Sequence, residues 1–110
     1  MGKSSVKYVL VYYGGAMPDT ASAQARVMRQ WATWYAKLGA AIVDGGHPFS
    51  GAVAKIKPGG TVANGPIGHR ASGYSIVQAP SLEAATKMAK GCPILRTGGQ
   101  VAVYETFDAM

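Results

Sequence analysis

The sequence has few of the residues on which many functional sites depend. Its 110 residues include one cysteine, two histidines and five acidic residues. The single cysteine, Cys92, excludes an internal disulfide and a cysteine-rich zinc site. The spacing of the two histidines and the five acids matches no common metal-ligand pattern. We therefore expect neither a metal nor a cofactor.

Long hydrophobic runs are also lacking, since no stretch reaches the roughly 20 apolar residues that a membrane-spanning helix needs. The apolar run from Tyr8 to Tyr13 is shorter and rougher than the core of a signal peptide, and its tyrosines favour a strand. From these absences we expect no membrane partner and a cytoplasmic location.

Acidic residues are outnumbered by eleven lysines and arginines, which gives a net charge of +6. A basic protein attracts nucleic acid, anionic lipid or acidic metabolites. The basic residues are dispersed along the chain, which is typical of a solvated surface with a mild preference for anions. An RNA-recognition strand needs three aromatic residues, and Gly73–Ala79 has only Tyr74. Nucleic acid is therefore disfavoured as a partner, and a small, anionic molecule is the better candidate.

Hydrophobic periodicity predicts alternating strands and helices. Val6–Tyr13 is apolar at nearly every position, which favours a strand covered on both faces. Helical spacing follows over Ala21–Leu38, where Trp31 and Trp34 belong to an apolar stripe that is more typical of a core than of a ligand shelf. Gly39 is placed to cap this helix.

The second half of the chain repeats the alternation. The predicted strands are Ala40–Val43, a hairpin over 53–57 and 61–64, Gly73–Ala79 and Gln100–Phe107. Between the last two strands we predict a helix that is capped by Ser81 and ended by Gly91. The residues predicted to face inward on this helix are Leu82, Ala85, Met88 and Ala89. Without the hairpin the order is βαββαβ, the ferredoxin-like arrangement. The sequence thus predicts one α+β domain, residues 1–110, with its core over 6–107.

Both faces of the first predicted strand are apolar, because Tyr8, Leu10 and Tyr12 alternate with Val9 and Val11. In a ferredoxin-like fold the helices cover one face of the sheet only. A second copy of the chain supplies the simplest cover for the other face, so we expect a homodimer, with further assembly left open.

Several segments in order resemble the YCII-related (DGPF) family. They are Lys7–Gly14, the Trp-bearing first helix, Asn64–Ile67, Gly73-Tyr74, Ser81–Ala85 and Cys92-Pro93. The resemblance implies a ferredoxin-like subunit that pairs into a dimeric α/β barrel with a cleft. The family motif reads Asp-Gly-Pro-Phe, whereas Asn64 and Ile67 stand at its ends here. Members proposed to be catalytic carry a histidine on the first helix, near the position of Met28.

Candidate chemistry is concentrated in three places. His47 follows a glycine-rich turn, so it is a candidate general acid or base with Asp44 orienting it, although a surface histidine beside a turn-forming aspartate is the simpler interpretation. Tyr13, at a strand end beside Gly14-Gly15, is a candidate proton donor. Further candidate ligand-binding residues are Tyr12, Asn64, His69, Arg70 and Tyr74.

Three functions remain open at this point. The first is a small-molecule pocket in a dimer cleft, with lyase-type or isomerase-type acid–base chemistry carried by His47, Asp44 and Tyr13. The second is a non-catalytic ligand-binding or accessory dimer of the same fold. RNA binding is the third and is ranked last.

Overall fold

The longest apolar segment of the chain forms the centre of a sheet. In the computed structural model, which describes residues 6–108, strand β1 spans Val6–Tyr13 and pairs antiparallel with two neighbours. The remaining strands are β2 (Ile42–Asp44), β3 (Ala54–Ile56), β4 (Val62–Asn64), β5 (Ala71–Ala79) and β6 (Gln100–Glu105). The first five and last two residues of the predicted 1–110 unit lie outside the described part.

The main sheet has the strand order β2-β5-β1-β6, and all its pairings are antiparallel. Helix α1 spans Ala21–Leu38 and helix α2 spans Leu82–Ala89. Residues 6–108 therefore form an α+β fold whose sheet order is compatible with the predicted ferredoxin-like arrangement. Strands β3 and β4 form a separate two-stranded sheet, so the predicted hairpin is confirmed.

Local capping sets the ends of the helices. The Thr20 hydroxyl accepts a hydrogen bond from the Ala23 N–H at 3.2 Å, and the Ser81 hydroxyl accepts one from the Ala84 N–H at 3.1 Å. These side chains satisfy donors that the first helical turn leaves unpaired. At the other end of α1, Gly39 has a φ of 54°, a conformation that glycine adopts at low cost.

The core lies between the helices and one face of the sheet. Tyr8, Leu10 and Tyr12 of β1 are buried there, together with Trp34 of α1 and Ala85 of α2. The rings of Tyr12 and Trp31 meet edge to face, with centroids 5.3 Å apart. The tryptophan stripe of α1 is thus core packing, as its spacing predicted.

Several details of the prediction differ from the structure. Ala40 and Ala41 belong to a 3-10 turn, so the strand after α1 is displaced to Ile42–Asp44. The last strand ends at Glu105, before Phe107. Leu82 is 46% exposed because it is the first residue of α2 and precedes the turn that meets the sheet. The 3-10 helix Pro93–Thr97 is absent from the prediction.

The other face of the sheet, here named the open face, carries Val9 and Val11 of β1, Tyr74 and Ile76 of β5, and Ala102 and Tyr104 of β6. These side chains are half-buried or, for Tyr104, 55% exposed. No helix of residues 6–108 covers them. The apolar second face predicted for β1 is therefore confirmed.

The hairpin β3–β4, here named the arm, shares no ladder with the main sheet. Ile56 and Val62 on the arm are 67% and 62% exposed. The molecule measures 47 × 45 × 18 Å, and its radius of gyration is 15.8 Å. A compact domain of about 100 residues has a radius near 13 Å, so this chain is flat and extended.

No helix within residues 6–108 is both long enough and apolar enough to cross a membrane.

Candidate ligand-binding site

Three chain segments meet at one end of the sheet because β1 has an antiparallel neighbour on each side. Tyr13, the last residue of β1, is paired with Ala71 at the start of β5 and with Gln100 at the start of β6. His69 and Arg70 immediately precede β5. The register therefore brings these two residues beside the Tyr13 end of β1, although nearly sixty positions separate them in sequence.

A cleft of about 470 Å³, here named the sheet cleft, lies at this end. Its polar lining comes from Tyr13, His69, Arg70 and Gln100. Its apolar lining comes from Ile67, Val101 and Ala102, and Gly14 and Gly98 complete the wall. A small concave site with an apolar wall and a few convergent polar groups is the usual form of a small-molecule pocket.

The Tyr13 phenol remains a hydrogen-bond donor at neutral pH. Partial burial raises the pKa of Tyr13, and the neighbouring Tyr104 raises it further. A raised pKa keeps the phenol protonated, which suits donation to a carbonyl or carboxylate oxygen. Tyr13 therefore fits the role of a donor and not that of a base.

Arg70 connects the sheet cleft with a second groove. One of its guanidinium N–H groups donates to the Gly51 carbonyl oxygen at 2.7 Å. The guanidinium has five donors, so others remain for a ligand in either place. The second groove, about 620 Å³, lies beside the arm and includes Asn64 and Arg70 in its lining. Asn64 therefore lies near Arg70 but outside the lining of the sheet cleft.

His47 and Tyr74 form a separate group at the edge of β5. The His47 carbonyl accepts the Tyr74 N–H at 3.4 Å, and the two rings are 6.5 Å apart between centroids. The Phe49 ring stacks on the Tyr74 ring, with centroids 6.0 Å apart. The His47 side chain is exposed and is not part of the lining of the sheet cleft.

Asp44 is engaged by the turn that leads to His47. Its carboxylate accepts the Gly46 N–H at 2.8 Å, a contact typical of a turn-forming aspartate. No hydrogen bond joins Asp44 to His47 within the described residues. A methyl group at Gly46, where φ is 76°, would overlap the Tyr74 carbonyl, so the turn packs directly on β5.

Tyr12 faces the core and lies beneath the sheet, away from the open face. It is 5% exposed, and its hydroxyl donates to the Ser75 hydroxyl at 2.7 Å. Ser75 in turn donates to the Gly45 carbonyl at 2.7 Å. Burial raises the pKa of Tyr12 well above its usual value. The side chain therefore supports the turn before His47 and does not reach a ligand in the sheet cleft.

Cys92 is 1% exposed and packs beside Tyr12. Burial raises the pKa of its thiol to about 11. A buried neutral thiol is a poor nucleophile, in line with its interpretation as a small apolar side chain.

Gln100, Ile67 and Tyr104 were missed as functional candidates. Gln100 and Tyr104 belong to no recognisable motif, and Ile67 was noted only as a departure from the family motif. For Gln100 the strand order supplies the signal, because the residue that begins a neighbour of β1 must adjoin the end of β1 in a ferredoxin-like sheet.

Comparison of the chain with protein-family models gave no match, and comparison with curated proteins gave none either.

Proposed function

We propose that this chain binds a small molecule bearing a carboxylate or similar anionic group in the sheet cleft. The convergence of Tyr13, His69, Arg70 and Gln100 on one cavity supports this proposal most directly. A guanidinium matches a carboxylate in charge and geometry, and a protonated phenol adds a second donor. The half-apolar wall accommodates the rest of a small organic ligand.

The proposal includes a homodimer in which a second copy covers the open face. Among β1, β5 and β6, which lie wholly in the described part, Lys7 is the one charged residue on that face. Most of the basic residues of the helical elements lie on the opposite side of the sheet. Two copies can therefore meet through their sheets without opposing those charges, despite a net charge of +6 on each.

A dimer of this kind is what the resemblance to the YCII-related family implies, as a dimeric α/β barrel. The flat shape and the exposed arm support it independently, since a stable monomer rarely leaves a sheet face and a hairpin uncovered together. The proposal also keeps the cytoplasmic location expected from the sequence.

A second candidate function is acid–base catalysis of the lyase or isomerase type in the same cleft. The protonated Tyr13 phenol favours it, since that group can stabilise a developing oxyanion. His69 within the cleft and His47 beside Tyr74 are the available imidazoles. The engagement of Asp44 by Gly46 favours binding over a His47–Asp44 mechanism, so binding is the function we place first.

The binding proposal is tested by a thermal-shift screen of small carboxylate metabolites at fixed protein concentration. A ligand at about 100 times its Kd adds roughly 2.7 kcal/mol of stability and moves the Tm by several degrees. We expect the shift to disappear in Arg70→Gln and to persist in Lys55→Gln, which removes the same charge from the arm. Equal shifts in both variants would contradict a site at Arg70.

Two histidine variants distinguish catalysis from binding. If His69→Ala or His47→Ala abolishes turnover of a bound ligand while its thermal shift persists, that histidine transfers the proton. If neither histidine variant alters turnover, the acid–base function is contradicted and the binding function stands.

The dimer is tested by sedimentation equilibrium of two lysine variants. Val11→Lys places a charge at the centre of the open face, whereas Ala32→Lys places one on the exposed side of α1. We expect Val11→Lys to sediment as a monomer and Ala32→Lys as a dimer. A monomeric wild-type protein would overturn the dimer and leave the ligand proposal to its own test.

A further inference from the structure

The helical elements together carry a net positive charge. Helix α1 contains Arg26, Arg29 and Lys37 and no acidic residue, and the 3-10 helix Pro93–Thr97 contributes Arg96. In α2, Lys87 is balanced by Glu83. Four cations that are scattered along the sequence therefore belong to one layer of the molecule.

Four of these cations converge on one groove, here named the helix groove, between α1 and the 3-10 helix Pro93–Thr97. Its volume is about 360 Å³. Arg26, Arg29 and Lys37 line one side, and Arg96 lines the other. No acidic residue belongs to its lining. The helix groove and the sheet cleft share no lining residue.

The convergence follows from helix geometry. Arg26, Arg29, Thr33 and Lys37 are spaced by three or four residues, so they lie on one stripe of α1. Eleven residues separate the first from the last, which corresponds to about 16 Å along the axis. The row of cations is therefore longer than one phosphate group and faces Arg96 across the groove.

The floor of the groove offers no stacking surface. Trp34 is 4% exposed, and its indole N–H already donates to the Met88 carbonyl at 3.0 Å. A methyl group at Gly91 would come within 3.2 Å of the Trp34 ring, so glycine preserves the close packing of this floor. Recognition must therefore come from the cations at the rim, together with the side chains of Gln30 and Thr33.

We propose that the helix groove binds a polyphosphate anion, a ligand with two or more linked phosphate groups. Arginine guanidinium groups match phosphate oxygens bidentately, and four like charges in one groove repel each other until an anion neutralises them. A single phosphate cannot reach cations spread along the stripe. A nucleobase would find no exposed ring on which to stack, which favours the polyphosphate over RNA.

The test is isothermal titration calorimetry with tripolyphosphate, orthophosphate and a single-stranded RNA decamer. We compare the wild type with Arg29→Gln/Arg96→Gln, which removes one cation from each side of the groove. The matched control, Lys55→Gln/Lys57→Gln, removes the same net charge from the arm. All four positions are on the protein surface or partly exposed, and circular dichroism verifies the fold.

We expect tripolyphosphate to bind the wild type at least tenfold more tightly than orthophosphate. Its Kd should rise at least tenfold in the groove variant and change less than twofold in the control. Arg70→Gln should also leave it unchanged, which separates this site from the sheet cleft. Should the groove variant not fold, Arg26→Gln/Lys37→Gln provides the same comparison from α1 alone.

Three results with the phosphate ligands would overturn the proposal. They are the absence of tripolyphosphate binding, equal weakening in the groove and control variants, and orthophosphate binding as tight as that of tripolyphosphate. Tighter binding of the RNA decamer that is lost in the groove variant would also overturn it, in favour of a nucleic-acid partner.

Discussion

The hydroxyl of Tyr12 donates to the hydroxyl of Ser75 at 2.7 Å, beneath the centre of the sheet. Ser75 is 0% exposed, and its hydroxyl donates a hydrogen bond to the Gly45 carbonyl at 2.7 Å. Tyr35 of α1 donates to the same carbonyl at 3.1 Å. A buried chain of hydroxyl groups therefore connects β1, β5 and α1 to the turn that precedes His47.

Ser75→Ala should destabilise the protein more than Tyr12→Phe. The alanine leaves the buried Tyr12 hydroxyl without its acceptor, whereas the phenylalanine leaves Ser75 still donating to Gly45. We expect losses of about 2 and about 1 kcal/mol in the free energy of unfolding, measured by urea titration. The double variant should lose less unfolding free energy than the two single variants lose together, because both changes remove the same hydrogen bond. Additive losses would contradict the coupling.

Alkaline pH should destabilise the fold through Cys92. Burial raises the pKa of its thiol from 9.0 to about 11, so the unfolded chain loses this proton at a lower pH than the folded one. This contribution to stability is complete below pH 9 and is lost as the pH rises to about 11. Burial also raises the pKa of Tyr12, which adds a loss from about pH 10 upward.

Urea titrations at a series of pH values measure this effect. We expect the fall in unfolding free energy just above pH 9 to be smaller in Cys92→Ala than in the wild type. Tyr12→Phe should instead retain the fall near pH 9 and reduce the one at higher pH. Identical profiles in all three proteins would show that neither group is linked to folding.

Gly46→Ala should be among the most destabilising glycine substitutions. A methyl group there meets the Tyr74 carbonyl, and the φ of 76° is also unfavourable for alanine. We expect a loss of roughly 2–4 kcal/mol in chemical unfolding. Gly59→Ala is the control, since its φ of 93° is equally unfavourable but the space around it is open. A loss no larger than that of the control would contradict the close packing of this turn.

Adjacent arm residues should respond differently to an added carboxylate. Val62 begins β4 and Thr61 immediately precedes it, and both are exposed. Successive side chains along an extended chain alternate between faces, so we expect these two on opposite faces of the hairpin. If a second copy covers the apolar face of the arm, Val62→Asp weakens the dimer and Thr61→Asp does not. The dimer dissociation constant from sedimentation equilibrium is the measurement. Equal dissociation constants would place the arm outside the interface.

Periodicity was sufficient to predict much of the fold. The bounds predicted for β1 and α1 are those observed, because an apolar strand and a capped amphipathic helix leave strong local patterns. The segment after α1 was predicted less well. Ala40 and Ala41 are apolar and fit a strand, but the helix cap at Gly39 leads into a tight turn first.

The candidate site could be predicted only in part, because its parts meet through long-range pairing. Tyr13, His69 and Arg70 are in the sheet cleft, and the local signals at a strand end and in a polar loop pointed to them. Gln100 has no such local signal and joins them only through the register of β6 with β1. The helix groove was hidden for the same reason, since Arg96 meets the α1 stripe only in three dimensions.

The pairing of β1 with β6 also determines when the fold can be completed during synthesis. Tyr8 near the beginning of β1 is opposite Glu105, and their side chains meet across 97 positions of sequence. Closing so long a loop is entropically costly, and β6 leaves the ribosome after β1 to β5. Until then the central strand has an unpaired edge, which is a template for association between nascent chains. The interval before residues 100–105 emerge is therefore the period in which this protein depends most on protection from aggregation.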